Sequence, residues 1–216
     1  IKEKGSLIIA SGNVNITDGD NIVISGKKAT YDKKDQILDI IGNVIFIDTN
    51  KNYKASSEKI IFNRNKNIIS SYENTEIYLF DKNNIKTDFK IIGKNSIFDK
   101  KNNTIEINGN VVFEDFLNNY NLYSEKIIYY KLKETIKSFD QTKINYNNNL
   151  SILANNIYFD NIKNSFFSKE KTLITDNLEN KFEFSSFDFN LNNKILKAEE
   201  ITLSDIDSNN IKIQNA

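Results

Sequence analysis

Gly42-Asn43-Val44-Ile45-Phe46-Ile47-Asp48 decides how this chain folds: a polar step, a short run of β-branched and aromatic residues, then a turn signal. The step returns as Gly12-Asn13-Val14, Asn74-Thr75-Glu76-Ile77, Gly109-Asn110-Val111, Gln141-Thr142-Lys143-Ile144 and Lys171-Thr172-Leu173-Ile174. With Gly12, Gly42, Glu73, Gly109, Asp140 and Glu170 as equivalents, the spacings are 30, 31, 36, 31 and 30 residues. A second marker, an aromatic before a polar turn, stands at Tyr31-Asp32, Phe62-Asn63, Phe98-Asp99, Tyr129-Tyr130, Phe159-Asp160 and Phe189-Asn190. Its spacings are 31, 36, 31, 30 and 30. Two markers share one period and one insertion, so the chain is built of six repeats.

Val14-Asn15-Ile16-Thr17 and Val111-Val112-Phe113 are strand-like runs of the same kind. Polar clusters such as Thr17-Asp18-Gly19-Asp20 and Asp48-Thr49-Asn50-Lys51-Asn52 separate the runs and supply turn chemistry. Each unit is therefore predicted to be an ascending strand, a turn, a longer descending strand ending at the aromatic, and a second turn. The expectation is an all-β fold with roughly 12–16 antiparallel strands, a large sheet for one domain. Only Leu117 to Lys133 also fits a helix.

Val14 and Ile16, Val44 and Phe46, Ile77 and Leu79, Val111 and Phe113, and Ile144 and Tyr146 each lie two apart and so share a face, and of these all but Tyr146 are retained. These nine residues are the candidate lining of an apolar groove, and the bland alternative is the dry core of a sandwich or solenoid. Phe46→Asp or Phe113→Asp is expected to disable such a groove more than it unfolds the domain.

Composition removes most other functions. Lys and Arg number 29 and Asp and Glu 29, so there is no basic stripe for nucleic acid, and Arg64 is the sole arginine. Cys and His are absent, which removes the usual ligands of zinc, copper, haem and iron–sulfur centres and every Cys–His or Ser–His nucleophile pair. Glu199-Glu200 and Asp205/Asp207 are read as solvated, and Asp81-Lys82-Asn83-Asn84 lacks the glycine and distal Glu of a calcium loop. No glycine motif for nucleotides is present. The expectation is no catalytic residue, no metal, no cofactor and no enzyme. The Asn, Lys and Ile bias is ascribed to an AT-rich genome. Because Met is absent even at position 1, the 216 residues are read as one domain excised from a longer chain.

Tyr53-Lys54-Ala55-Ser56-Ser57-Glu58-Lys59-Ile60-Ile61-Phe62, with Asn121-Leu122-Tyr123-Ser124-Glu125-Lys126-Ile127-Ile128-Tyr129 as a second copy, resembles the OstA-type repeat. That repeat typifies the periplasmic bridge LptA and the N-terminal domain of the outer-membrane lipopolysaccharide-assembly protein LptD. Lys171 to Asp176, Phe187 to Asn190 and Lys194 to Ala198 resemble the end of that domain in alphaproteobacterial LptD. The resemblance runs from about Ser11 to Ile206 and departs at units three and five, where Gly-Asn-Val is replaced. It implies a V-shaped β-jellyroll, open along one side, on the periplasmic side of the outer membrane of a Gram-negative bacterium. Implied partners are lipopolysaccharide acyl chains, an LptA-type bridge protein stacked on an edge strand, an outer-membrane β-barrel later in the same chain and its plug lipoprotein. Lys54 and Lys59 are weighed as contacts for lipid phosphates against a plain solvated role. A free-standing LptA-like bridge, a structural β-solenoid or adhesin-like repeat and, more remotely, a glycan-active β-helix are the alternatives.

Overall fold

The computed structural model describes all residues except 1, 20, 51, 81–86, 205–209 and 214–216. Contacts divide the chain into two compact units, Ile1–Gly109 and Asn110–Ala216. All regular structure among the described residues is strand. The first unit holds β1 (Lys2–Lys4), β2 (Leu7–Asp18), β3 (Ile22–Asp32), β4 (Ile37–Asp48), β5 (Tyr53–Asn63), β6 (Ile68–Phe80) and β7 (Thr87–Asp99). Strand β8 (Thr104–Asp115) contains the boundary. The second unit continues with β9 (Tyr120–Tyr130), β10 (Thr135–Phe139), β11 (Gln141–Tyr146), β12 (Leu150–Asn155), β13 (Tyr158–Asp160) and β14 (Ser165–Ser168). It ends with β15 (Thr172–Asp176), β16 (Lys181–Phe184), β17 (Ser186–Asn190), β18 (Ile195–Glu199), β19 (Ile201–Ser204) and β20 (Asn210–Ile213).

In the first unit β1 to β7 form an antiparallel meander, each strand paired with the next. The register shifts between Ser11 and Val14, Ser25 and Lys28, Ile41 and Val44, Ser56 and Lys59, and Tyr72 and Thr75. These bulges line up across neighbouring strands and crease the sheet into two walls. Val14–Asp18 and the segments paired with it form the first wall; Leu7–Ser11 and its partners form the second.

The sequence explains the crease. Gly42 and Asn43 both hold left-handed backbone, at φ 86° and 48°, and Gly12 with Asn13 does the same at 76° and 36°. Two such residues in succession re-aim a strand sharply. The Gly-Asn step is thus a bend inside a strand, and Ile37–Ile41 before it is as extended as Val44–Asp48 after it. In β5 the inward residues are Tyr53, Ala55 and Ser57, then Ile60 and Phe62. The extra residue at the bulge reverses the alternation, so both walls turn apolar side chains to one interior.

In the second unit the same strands are cut rather than bent. The first half of β9 pairs with β11 and the second half with β10. From there one ladder runs β11–β12–β15–β16–β19–β20 and the other β10–β13–β14–β17–β18. At the Gly-Asn position stand Asp140 and Gln141, of which only Asp140 (φ 59°) is left-handed. This segmentation raises the strands to twenty among the described residues, against the roughly 12–16 expected from the repeats. Segment Leu117–Lys133 resolves as a turn followed by β9.

Asparagine has a structural use here that composition alone hides. Among the described residues 19 non-glycine positions have positive φ and twelve of them are Asn, doing in a chain with 7 glycines what glycine does elsewhere. The turn after each aromatic marker closes on such a residue five positions on: Gln36, Asn67, Asn103, Glu134, Asn164 and Lys194. In the third of these turns Asp99 Oδ1 accepts from the backbone N–H groups of Lys101 and Asn102, both at 2.9 Å. Those bonds, Asn102's foremost, hold the Asp99 carboxyl below its ordinary range.

Where glycine is lost at the crease, buried hydroxyls replace it. Ser71 and Thr75 flank the Glu73-Asn74 bend and share a hydrogen bond of 2.7 Å, and Ser71 also meets Ser96 at 2.7 Å. Thr142 donates to Ser138 across the Asp140 bend, again at 2.7 Å. Ser138 Oγ in turn accepts from the Ile157 N–H at 3.0 Å. Such a staple fixes the bend that Gly-Asn adopts freely. Ser138→Ala is expected to cost about 1–3 kcal/mol, because it strands the buried Ile157 N–H and removes the shortest bond of the Thr142 hydroxyl. Urea denaturation would register this as a lower midpoint at unchanged slope. A change below about 0.5 kcal/mol would remove the staple from the account.

Candidate functional site

Every position of the candidate face lies on a strand, and within each unit paired rungs place apolar side chains in line. In the first unit Ile16 is paired with Ile24, Ile24 with Phe46, Phe46 with Ala55, Ala55 with Ile77 and Ile77 with Ile91. This apolar row runs along the first wall. On the second wall Ile8, Tyr31, Leu38, Phe62, Ile69 and Phe98 form its counterpart. In the second unit the rows are Leu122, Ile144, Ile152, Ile174, Phe182 and Leu203, and opposite them Tyr129, Ile136, Phe159, Phe166, Phe189 and Leu196.

The interior is closed along most of this length. Val44, Phe46, Ile77, Phe113 and Ile144 have 0% exposure, Val111 1% and Leu79 6%. Rings from the two walls meet across it. Tyr53 packs on Phe98 at 5.4 Å between centroids in the first unit; in the second, Tyr120 packs on Phe159 and Phe166 at 5.2 and 4.7 Å, and Tyr146 on Phe189 at 5.7 Å. The aromatic markers of the repeat are thus the second wall's half of a ring seam. In its other half Tyr53 and Tyr120 each follow an Asn-rich turn and Tyr146 precedes one; of the three, the sequence pattern places Tyr146 on the inward face beside Ile144. Burial, reinforced by Asp48, pushes the Tyr53 phenol above its ordinary range; burial and then Asp115 do the same for Tyr120.

At Phe46 and Phe113 the expected outcome of an Asp substitution changes accordingly. A carboxylate at a site with no exposure cannot be accommodated without unfolding, so loss of folding comes first there.

The seam stops short of the first strands. On the rung holding Tyr53, the neighbour two strands back is Ile22, paired with Asp48, and no ring is supplied. There a cavity of about 430 Å³ opens, lined by Val14, Ile16 and Ile24 of the first wall and by Ile8, Ala29, Tyr31, Leu38 and Phe62 of the second. Its volume lies within the range of small-ligand sites, about 300–1,000 Å³. Val14 and Ile16 are thus the candidate residues that line this cavity, Ile16 half-buried and Val14 at 8% exposure. Asp18 and Arg64 also line it and join through Arg64 Nη2 and Asp18 Oδ1 at 3.0 Å. Beside the cavity runs an edge: among the described residues Val14–Asp18 pairs only with β3, whereas Leu7–Ile9 is covered by β1.

The remaining candidates stand apart from this interior. Lys54 and Lys59 lie on the outer face, Lys54 over the Tyr78 ring at 5.9 Å and Lys59 paired with Asp39 at 3.0 Å. Glu199 and Glu200 are exposed, and Glu199 accepts from Ser186 at 3.1 Å. Asp205, Asp207 and the segment 81–84 lie outside the described residues. Among the described residues no cluster of three or more His, Cys, Asp or Glu is placed to hold a metal.

No protein-family model matches this chain, and no curated protein matches it. Among solved structures it is similar to LptH of Pseudomonas aeruginosa, described as the LptA-homologous periplasmic component of the lipopolysaccharide transport device. The identity is 11%, the alignment covers 90% of this chain and 95% of that one, and the TM-score is 0.26.

Proposed function

We propose that this domain is a non-enzymatic lipid conduit that receives the acyl chains of lipopolysaccharide in the periplasm and passes them towards an outer-membrane β-barrel. One observation carries the reading: two facing apolar rows run strand after strand through the first unit and end in an open cavity beside an unpaired edge. The OstA-type resemblance of Tyr53–Phe62 names the cargo. Each methylene held in water costs about 0.8 kcal/mol, so a long chain crosses an aqueous gap only along a continuous apolar surface. The interior needs no chemistry of its own, in keeping with a chain that has no Cys or His. Lipopolysaccharide would enter at Val14 and Ile16. Within each unit the candidate residues would form its track, with the ring seam parting as lipid advances. The edge Val14–Asp18 would accept a strand from an LptA-type bridge.

A structural repeat is the second reading, and the tight packing of Phe46, Phe113 and Ile144 favours it. Photocrosslinking separates the two. A benzoylphenylalanine at Ile16 or Phe46, but not at Ile45 on the outer face, is expected to capture lipopolysaccharide presented on an LptA-type donor. Capture at Ile16 alone would limit the site to the cavity. With no adduct at any inward position in a folded protein, the conduit reading is lost.

A further inference from the structure

We propose that the Arg64–Asp18 ion pair is a strap across the mouth of the first-unit cavity, and that an apolar chain enters only when it opens. The inference rests on the conduit reading for its occupant and goes beyond it in assigning a gate. Asp18 is the last residue of β2 and stands at the free rim of the first wall. Arg64 stands in the turn between β5 and β6, at the free rim of the second. They are 46 residues apart, both line the cavity, and their side chains remain 34% and 46% exposed. The bond therefore joins the two walls on the side away from the crease.

The second unit shows what such a link does where nothing has to pass. Asn164 and Asn118 occupy the corresponding turns, also 46 residues apart, and Asn164 Nδ2 donates to Asn118 Oδ1 at 3.0 Å. That link is neutral, and the interior of the same unit is packed by the rings of Tyr120, Phe159 and Phe166. In the first unit the link is charged, it uses the only arginine of the chain, and open volume lies behind it. An exposed ion pair contributes little to stability and is weakened by salt, which suits a contact that must open repeatedly. A guanidinium can also exchange one carboxylate for another anion, so an amphiphile with a phosphate or carboxylate head would release Asp18 as it arrives.

Because the chain has no cysteine, Asp18→Cys and Arg64→Cys can be joined by a short bis-maleimide without side reactions. The probe is dansyl-undecanoic acid, whose fluorescence rises in an apolar site. The bridged protein is expected to take it up at least tenfold more slowly than the same double variant capped with a mono-maleimide. Asp18→Asn should speed uptake severalfold at low salt and match the wild type in molar salt. Equal uptake by bridged and capped proteins would overturn the strap and leave the conduit reading standing. Absence of uptake in every form, wild type included, would overturn both.

Discussion

Replacing Phe46 with alanine is expected to remove about 3–5 kcal/mol of stability, a large part of what a domain of this kind possesses. The ring is wholly enclosed, stands edge-on to Tyr53 with centroids 5.8 Å apart, and is flanked on its rung by Ile24 and Ala55. Those neighbours belong to extended strands that cannot collapse into the space, so the cavity persists and adds to the lost transfer energy. Ile16→Ala, on the same row but facing open volume, should cost below about 2 kcal/mol. Urea denaturation of the two variants checks the contrast. Similar losses would mean that the interior is no tighter at Phe46 than at the cavity.

Raising the pH should unfold the protein through its buried tyrosines. Tyr53 and Tyr120 titrate above the ordinary value of 10.0, chiefly because burial disfavours their phenolates. Above pH 10 the unfolded chain releases these protons while the folded one keeps them. The unfolded state then binds fewer protons, and stability falls as pH rises; below pH 10 both states are protonated and this source of pH dependence vanishes. Each such tyrosine removes up to about 1.4 kcal/mol per pH unit in that window, so the pair removes about 2.7. Tyrosinate absorbance should show two of the ten tyrosines ionising only together with the loss of circular dichroism. Smooth ionisation of all ten ahead of unfolding would contradict the burial of Tyr53 and Tyr120.

Strand type, the repeat and the inward face were legible in the sequence, because each rests on alternation with a period of two. Val44 and Phe46, or Ile77 and Leu79, could share a face only in extended chain. The crease was not legible, since Gly42-Asn43 reads equally well as a turn that begins a strand. The distinction lies in whether Ile41 and Val44 pair with the same neighbour, which is a tertiary fact. Segmentation of the second unit escaped for a related reason: Asp140-Gln141 is one substitution pattern among many, and its effect depends on β9 staying whole beside it. The strap was hidden by distance, since no local pattern joins Asp18 to Arg64. That only part of the candidate face borders open space was hidden too, as alternation marks which way a side chain points and not whether anything fills the space it points into.

The crease of the first unit also determines how that unit can deform. Its two walls are not separate sheets leaning together; β2 to β6 each pass through both, and the ladder continues on either side of the bulges. Changing the angle between the walls therefore breaks no rung. It asks for backbone rotation at the left-handed pairs Gly12-Asn13 and Gly42-Asn43 and at the bulges between them, and for release of the hydroxyl staple at Glu73-Asn74. The sheet behaves as a bellows with a single pleat, compliant across the fold line and stiff along every strand.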